Sequence, residues 1–423
     1  MAAPSSRPRL RPIEIIVVPD ERLGRAIVLR DTQGIAPNAR ALPMDLEPIL
    51  ARFTGRLTCE QIAQQASAAI GQRVPVDIVI KLATDLEDRL FAFGAPYQAA
   101  RARIEREFAD ADVREASHAG SAYHGEPGKL ADYIDNDCFG IASGPGRPKS
   151  GPKGSNRSNG KSSDRLVALI APHIDPWRGA RCYGEAYGVL AKTIPTDVET
   201  FVLFGTSHAP MEAPFALCRK AFDTPFGHVA ADHDSIDFIA GACDFDPYVD
   251  QFNHKREHSL EFQVVFLKHL LGRRRARIIP ILAGLGEQQF SATSPKQSKS
   301  IERFYEAVRK IVHDKRAVVV AGADFAHVGP RFGDPRPLDD RERRRLDATD
   351  RESIDFATRL DAEGFFRHVA SDLDTRRVCG LAPIYSLLRT VSDGARGRLG
   401  HYEQTVDPEE GSIVSHAAVG FYE

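Results

Sequence analysis

The sequence predicts an α/β protein with a central mixed sheet flanked by helices, preceded by a small α+β domain. Three observations carry this. From residue 166 onward, apolar strand-like runs alternate with helical stretches, the pattern of a parallel or mixed sheet covered on both faces. Three of those runs end in a small-residue break followed by metal-type side chains: Val167–Ala171 before Pro172-His173, Phe201–Phe204 before Gly205-Thr206-Ser207-His208, and Val318–Val320 before Ala321-Gly322-Ala323-Asp324. Finally, a stretch rich in Gly, Ser, Pro and Lys over 140–163 reads as a flexible linker, because it offers almost nothing to bury. The expected division is therefore 1–139, linker 140–163, and 164–423.

In the first region, Ile13–Pro19 and Ala26–Asp31 read as two strands of a hairpin. Leu46, Ile49 and Leu50 mark a helix. Thr58 followed by Gln61 forms a capping-box pattern that opens a second helix through Ile62 and Ala66. Pro75 opens a third, with Ile78, Leu82, Leu86 and Leu90 as its apolar stripe. Arg101–Ala111 continues as a charged helix. In the second region, strands are expected near 166–171, 199–205, 215–219, 277–283, 316–322 and 414–422. Helices are expected near 179–192, 232–242, 258–271, 301–313, 340–357, 361–370 and 380–391. The polar stretch 291–300 is expected as a loop.

The 423 residues carry 56 Lys and Arg against 58 Asp and Glu, a formal net charge of −2. That balance argues against an obligate nucleic-acid binder. No apolar run is long enough to span a bilayer, and the first residues lack the apolar core of a secretory signal. Six scattered cysteines without a CxxC pair suit buried thiols in a reducing cytoplasm.

Ligand sites of open α/β sheets lie beyond the carboxyl ends of strands, so His173, His208, Asp324 and His327 converge on one sheet edge. Pro172 and Pro176 stiffen the chain around His173. Asp324 and His327, three apart on an expected turn, suit ligand and base, or base and orienter; an Asp here equally N-caps a following helix. Cys379 precedes Gly380 at a helix start, where the helix dipole lowers a thiol pKa. Two imidazoles and a thiolate suit iron, copper or zinc better than magnesium or calcium. His258 and Glu261 share a helix face at i and i+3; HExxH is absent, so a metalloprotease is disfavoured and an outer or substrate-facing role is expected for both. There is no Walker loop, no GxGxxG after a strand and no GxSxG elbow.

Eight ordered motifs over 166–423 resemble the Memo family, component B of the AmmeMemoRadiSam grouping. They are Ile170-Ala171-Pro172-His173, Gly205-Thr206-Ser207-His208, Asp223-Thr224-Pro225-Phe226-Gly227, Glu257-His258-Ser259-Leu260-Glu261, Ile278–Gly284, Ala323-Asp324-Phe325-Ala326-His327, Cys379-Gly380 and Ser415–Gly420. The resemblance implies a fold similar to class III extradiol dioxygenases. It makes His173, His208 and Cys379 the metal ligands, with Asp324 and His327 lining the site. It also implies iron or copper, with zinc open, and redox or oxygen chemistry linked to radical-SAM and AmmeMemoRadiSam protein A partners. A thiolate stands where the dioxygenases carry a Glu ligand, which puts ring cleavage in doubt. Ala209 stands where the family commonly has a second His, and Ile174-Asp175-Pro176-Trp177 replaces Ala-Gly-Tyr, so substrate specificity does not transfer. The alternative function is a non-catalytic module that holds a peptide, partner protein or small molecule in the same cleft. Residues 13–93 resemble small PqqD-like winged-helix domains, which implies a recruiting role.

Overall fold

The computed structural model describes residues 6–20, 22, 24–31, 33–141, 165–193, 198–285, 293–373 and 375–423. The expected linker lies outside the described residues from 142 onward. The chain forms two compact units, Met1–Ala111 and Asp112–Glu423. The division therefore falls after Ala111, and residues 112–139 belong to the larger unit. No helix among the described residues is long and apolar enough to cross a membrane.

In the smaller unit, strands β1 (Glu14–Asp20), β2 (Gly24–Arg30) and β3 (Arg40–Pro43) form an antiparallel sheet in that order. Helices α1 (Glu47–Leu50), α2 (Cys59–Ile70), α3 (Val76–Asp88) and α4 (Ala95–Asp110) follow. The capping box at α2 is present: Thr58 Oγ1 accepts from Gln61 N–H, and the Gln61 side chain accepts from Thr58 N–H. The buried stripe of α3 is Val79, Leu82, Ala83 and Leu86, whereas Ile78 is exposed. Val79 thus takes the buried place expected of Ile78, although both lie within a turn of Leu82.

The larger unit starts with β4 (Val113–Arg114), α5 (Pro127–Tyr133) and a π-helical turn over Ile134–Cys138. Then come β5 (Leu166–Ala171), α6 (Pro176–Thr193), β6 (Thr200–Thr206), β7 (Phe215–Leu217), β8 (Ala221–Phe222), β9 (Ala230–Ala231), α7 (His233–Ala242), α8 (His258–Leu271), β10 (Arg277–Ala283), α9 (Lys299–Lys315), β11 (Val318–Gly322), β12 (Asp324–Val328), α10 (Asp340–Thr358), α11 (Ala362–Ala370), α12 (Leu381–Thr390), β13 (Arg396–Val406) and β14 (Ile413–Tyr422). The main sheet runs β12-β14-β5-β11-β6-β10-β7, with β13 on β14 and β9 on β10. Strands β5, β11, β6 and β10 are mutually parallel, while β14 and β7 join antiparallel.

Both sheet faces are apolar because both are covered. Ile170, Val202, Phe204, Ile281 and Val319 share one core with residues of α9, α11 and α12. Leu169, Leu203, Leu282 and Val320, on the other face, pack with α6 and α8. Two glycines, Gly205 on β6 and Gly322 on β11, are in register beneath Ser259. A Cβ at Gly322 would lie 2.3 Å from the Ser259 carbonyl oxygen. The pair therefore lets the first turn of α8 settle directly onto the carboxyl ends of the strands.

Candidate metal centre

Three side chains meet beyond β5, β6 and the start of α12. Ligand atoms of His173, His208 and Cys379 lie within 4.8 Å of one another. His173 Nε2 is 3.2 Å from Cys379 Sγ. The other ring nitrogen of each imidazole is committed. His173 Nδ1 donates to the Gly322 carbonyl at 2.9 Å, and His208 Nδ1 donates to Glu257 Oε1 at 3.0 Å. These bonds fix the tautomers and leave both Nε2 atoms able to ligate a metal, as the outer hydrogen bond of a metal-binding histidine does. The donor set fits one borderline or soft transition metal. His173 is buried, whereas the His208 side chain is 38 % exposed, so the cluster reaches the surface at His208.

Each donor is held by a distinct local cause. Asp324 Oδ1 accepts from His173 N–H at 2.9 Å, and the Asp324 carbonyl accepts from Gly380 N–H at 3.0 Å. One residue thus ties the His173 loop to the Cys379 loop. Gly380 permits this approach, since a Cβ there would sit 2.3 Å from the Asp324 carbonyl oxygen. Thr206 Oγ1 donates to the Cys379 carbonyl at 2.8 Å. Glu257 accepts from both N–H and Nδ1–H of His208, and from Ser259 N–H.

The electrostatics follow from this packing. Burial would raise the Cys379 thiol, but His173, His327 and His208 outweigh it and hold it well below the usual thiol range. Burial would lower His173, but Cys379 and Asp324 prevail and raise it to about 9. Burial would raise Glu257, yet His208 and His258 hold it well below the carboxylate range. His258 is pushed well below its ordinary value by burial and by His208. It is therefore a neutral imidazole, stacked on His208 with ring centroids 4.5 Å apart.

Asp324 and His327 sit in a strand, β12, rather than on the expected turn; Asp324 pairs with His416 of β14. Ala323 separates β11 from β12 by only one residue, so the chain runs on into a second short strand that takes β14 as its partner. Burial would lower His327, but the facing Cys379 prevails and raises it. Glu261 turns away from the His173, His208 and Cys379 cluster. Its carboxylate accepts from Arg114 Nη1, Ser117 N–H and Oγ–H, His118 N–H and Nδ1–H, and Tyr123 O–H. Its place in the site is thus indirect. It fastens segment 112–124 against α8 and sets the His118 ring 5.7 Å from that of His258.

Three residues around the cluster carry no role in the sequence pattern. Glu257 stands directly before His258 at a helix start, and that position was the available signal for it. Arg114 and His118 lie in a segment with no apolar period, so nothing in the pattern marked them. Arg114 is fully buried and also donates to the carbonyls of His254 and Glu257, at 2.9 and 3.0 Å.

The Memo-like protein family model matches residues 114–420. A MEMO1 family protein of Aquifex aeolicus is 25% identical over 404 residues, covering 94% of this chain and 96% of that protein, so the match reaches beyond the larger unit. MEMO1 family protein TTHA0924 of Thermus thermophilus is 33% identical over 181 residues, 42% of this chain and 50% of its own length. A relative from Methanosarcina acetivorans is 29% identical over 265 residues, 60% of this chain and 85% of its own length. With the family model covering residues 114–420, this chain belongs to the Memo-like protein family.

Proposed function

We propose that the cleft binds a single redox metal, iron or copper, through His173 Nε2, His208 Nε2 and Cys379 Sγ. The observation that carries this is the pairing of three converging donors with two imidazoles whose Nδ1 atoms are already committed. Bound there, the metal would supply one-electron or oxygen chemistry; zinc is the competing occupant, and it would supply a Lewis acid. His327 faces the thiolate and serves as the acid or base toward a ligand in the cleft. Asp324 holds the His173 backbone, and neutral His258 offers a hydrogen-bonding wall beside His208. The setting we propose is cytoplasmic, with a radical-SAM protein and AmmeMemoRadiSam protein A as partners. Iron, copper and zinc contents of anaerobically purified protein test the reading: His208→Ala and Cys379→Ala should each lose the metal, and full retention in both would overturn it.

One observation favours ligand holding as a second reading. Trp177, the chain's single tryptophan, is 40% exposed four residues past His173, yet it is anchored by donating Nε1–H to the Ser121 carbonyl at 3.0 Å. A held but exposed indole suits contact with a peptide or small molecule. Oxygen-uptake assays on metal-loaded protein separate the readings, since a binding module stays inert.

A further inference from the structure

The His327 ring is positioned by a residue outside the donor set. Its Nδ1 lies 3.3 Å from two carbonyl oxygens, those of Phe325 and Arg377. Two acceptors at one ring nitrogen require that nitrogen to carry the proton, which leaves Nε2 for Cys379 and the cleft. His327 N–H donates to the Arg376 carbonyl at 2.7 Å, and the Arg377 guanidinium donates back to the His327 carbonyl at 3.2 Å. The N–H, the C=O and the ring of His327 are thus all bound to two consecutive residues.

Arg377 adopts φ +49°, the left-handed region that non-glycine residues avoid. Something must hold it there, and its own side chain does. The guanidinium forks onto Asp334, with Nη2–Oδ1 at 2.8 Å and Nη1–Oδ2 at 3.2 Å. Asp334 is itself fixed by Gly329 N–H at 2.7 Å, just past the end of β12. Two residues beyond Arg377 the chain delivers Cys379.

We propose that Arg377 is a positioning residue that couples Cys379 to His327. Its guanidinium latches onto Asp334 and holds residue 377 left-handed. That conformation turns the Arg377 carbonyl onto His327 Nδ1 while carrying the chain into Cys379. The thiolate and the imidazole that faces it are therefore set by one latch. This deepens the reading above, in which His327 is the acid or base of the site.

The test is the solvent exchange of the His327 Nδ1 proton in metal-free full-length protein, read from 1H–15N correlations of the imidazole. The wild type should show a protected Nδ1–H, held by the Phe325 and Arg377 carbonyls whatever the state of Nε2. Arg377→Ala should speed that exchange about fivefold, the loss of one neutral hydrogen bond. Asp334→Asn should do the same, since an amide cannot take the charged fork. Arg377→Gly, which is free to stay left-handed, should lie between wild type and Arg377→Ala. Cobalt binding should keep its thiolate-to-cobalt absorption, with affinity lowered about tenfold, at the low end for an outer-shell partner. An unchanged His327 pattern in folded Arg377→Ala and Asp334→Asn overturns the proposal. Should Arg377→Ala not fold, Asp334→Asn and Arg377→Lys decide it alone. Absence of the cobalt band in wild-type protein would instead overturn the metal reading and leave the Nδ1–H exchange result standing.

Discussion

Replacing Glu261 by Gln removes one charge from a fully buried position and keeps its volume. In the wild type this carboxylate faces Arg114, whose side chain is 0% exposed, and it takes six hydrogen bonds from four residues of segment 114–123. The substitution leaves a buried guanidinium without its counter-charge. Breaking such a pair costs roughly 3–5 kcal/mol. Arg114 keeps three carbonyl acceptors, on Glu115, His254 and Glu257, so the lower end applies, about 3 kcal/mol. That is a large share of a typical folding free energy of about 5–15 kcal/mol. Urea unfolding followed by the fluorescence of Trp177 measures it, because the single tryptophan lies in the larger unit and reports that unit alone. The midpoint should fall with little change in slope. Glu261 is held well below the usual carboxylate range: burial opposes this, but Arg114 and His118 outweigh it. A depressed folded-state pKa gives stability that is present above the unfolded value near ~4.3 and is lost as the pH drops below it. Glu261→Gln should therefore lose most stability at neutral pH and show a flatter acid limb. A loss under about 1 kcal/mol, or an acid limb as steep as wild type, would mean that the Glu261–Arg114 pair does not hold this segment.

Other consequences follow from the same contacts. Glu257→Gln weakens the partner of His208 Nδ1 and should lower metal affinity about 10–100-fold without unfolding the chain, as chelator competition would show. Because His173 is raised to about 9 without metal, uptake must displace its proton, so affinity should climb with pH through neutrality toward about 9; a flat profile in calorimetric titrations would contradict this. Gly322→Ala forces a Cβ to 2.3 Å from the Ser259 carbonyl oxygen and should destabilise the larger unit by about 1–3 kcal/mol, with α8 displaced from the sheet. In the smaller unit Asp31 accepts from Arg11, Gln33, Ile35 and Ala36, so Asp31→Ala should lower its unfolding temperature in calorimetry while the Trp177 transition stays put.

What the sequence disclosed depended on whether burial left a pattern. Strands β5, β6, β10 and β11, buried on both faces, stood out as continuous apolar runs and were expected within two residues of where they lie. Helix α8 was expected over its observed span. β13 went unseen because its residues, Arg396–Val406, are mostly polar and half exposed on an edge, so no apolar run marks them. β12 was read as a turn because its apolar content is too short to separate from β11. That His173, His208 and Cys379 come together was legible because each follows a strand end or precedes a helix, positions that topology gathers together. Their supports were not. Glu261 binds Arg114 across 147 positions, and His327 binds Arg377 across 50, distances that periodicity cannot bridge.

Metal quantification on anaerobically purified wild type, His208→Ala and Cys379→Ala decides whether these side chains hold a metal. The wild type should carry close to one equivalent of iron or copper, and both variants should lose it with the fold retained. Full wild-type metal content in both variants would contradict it.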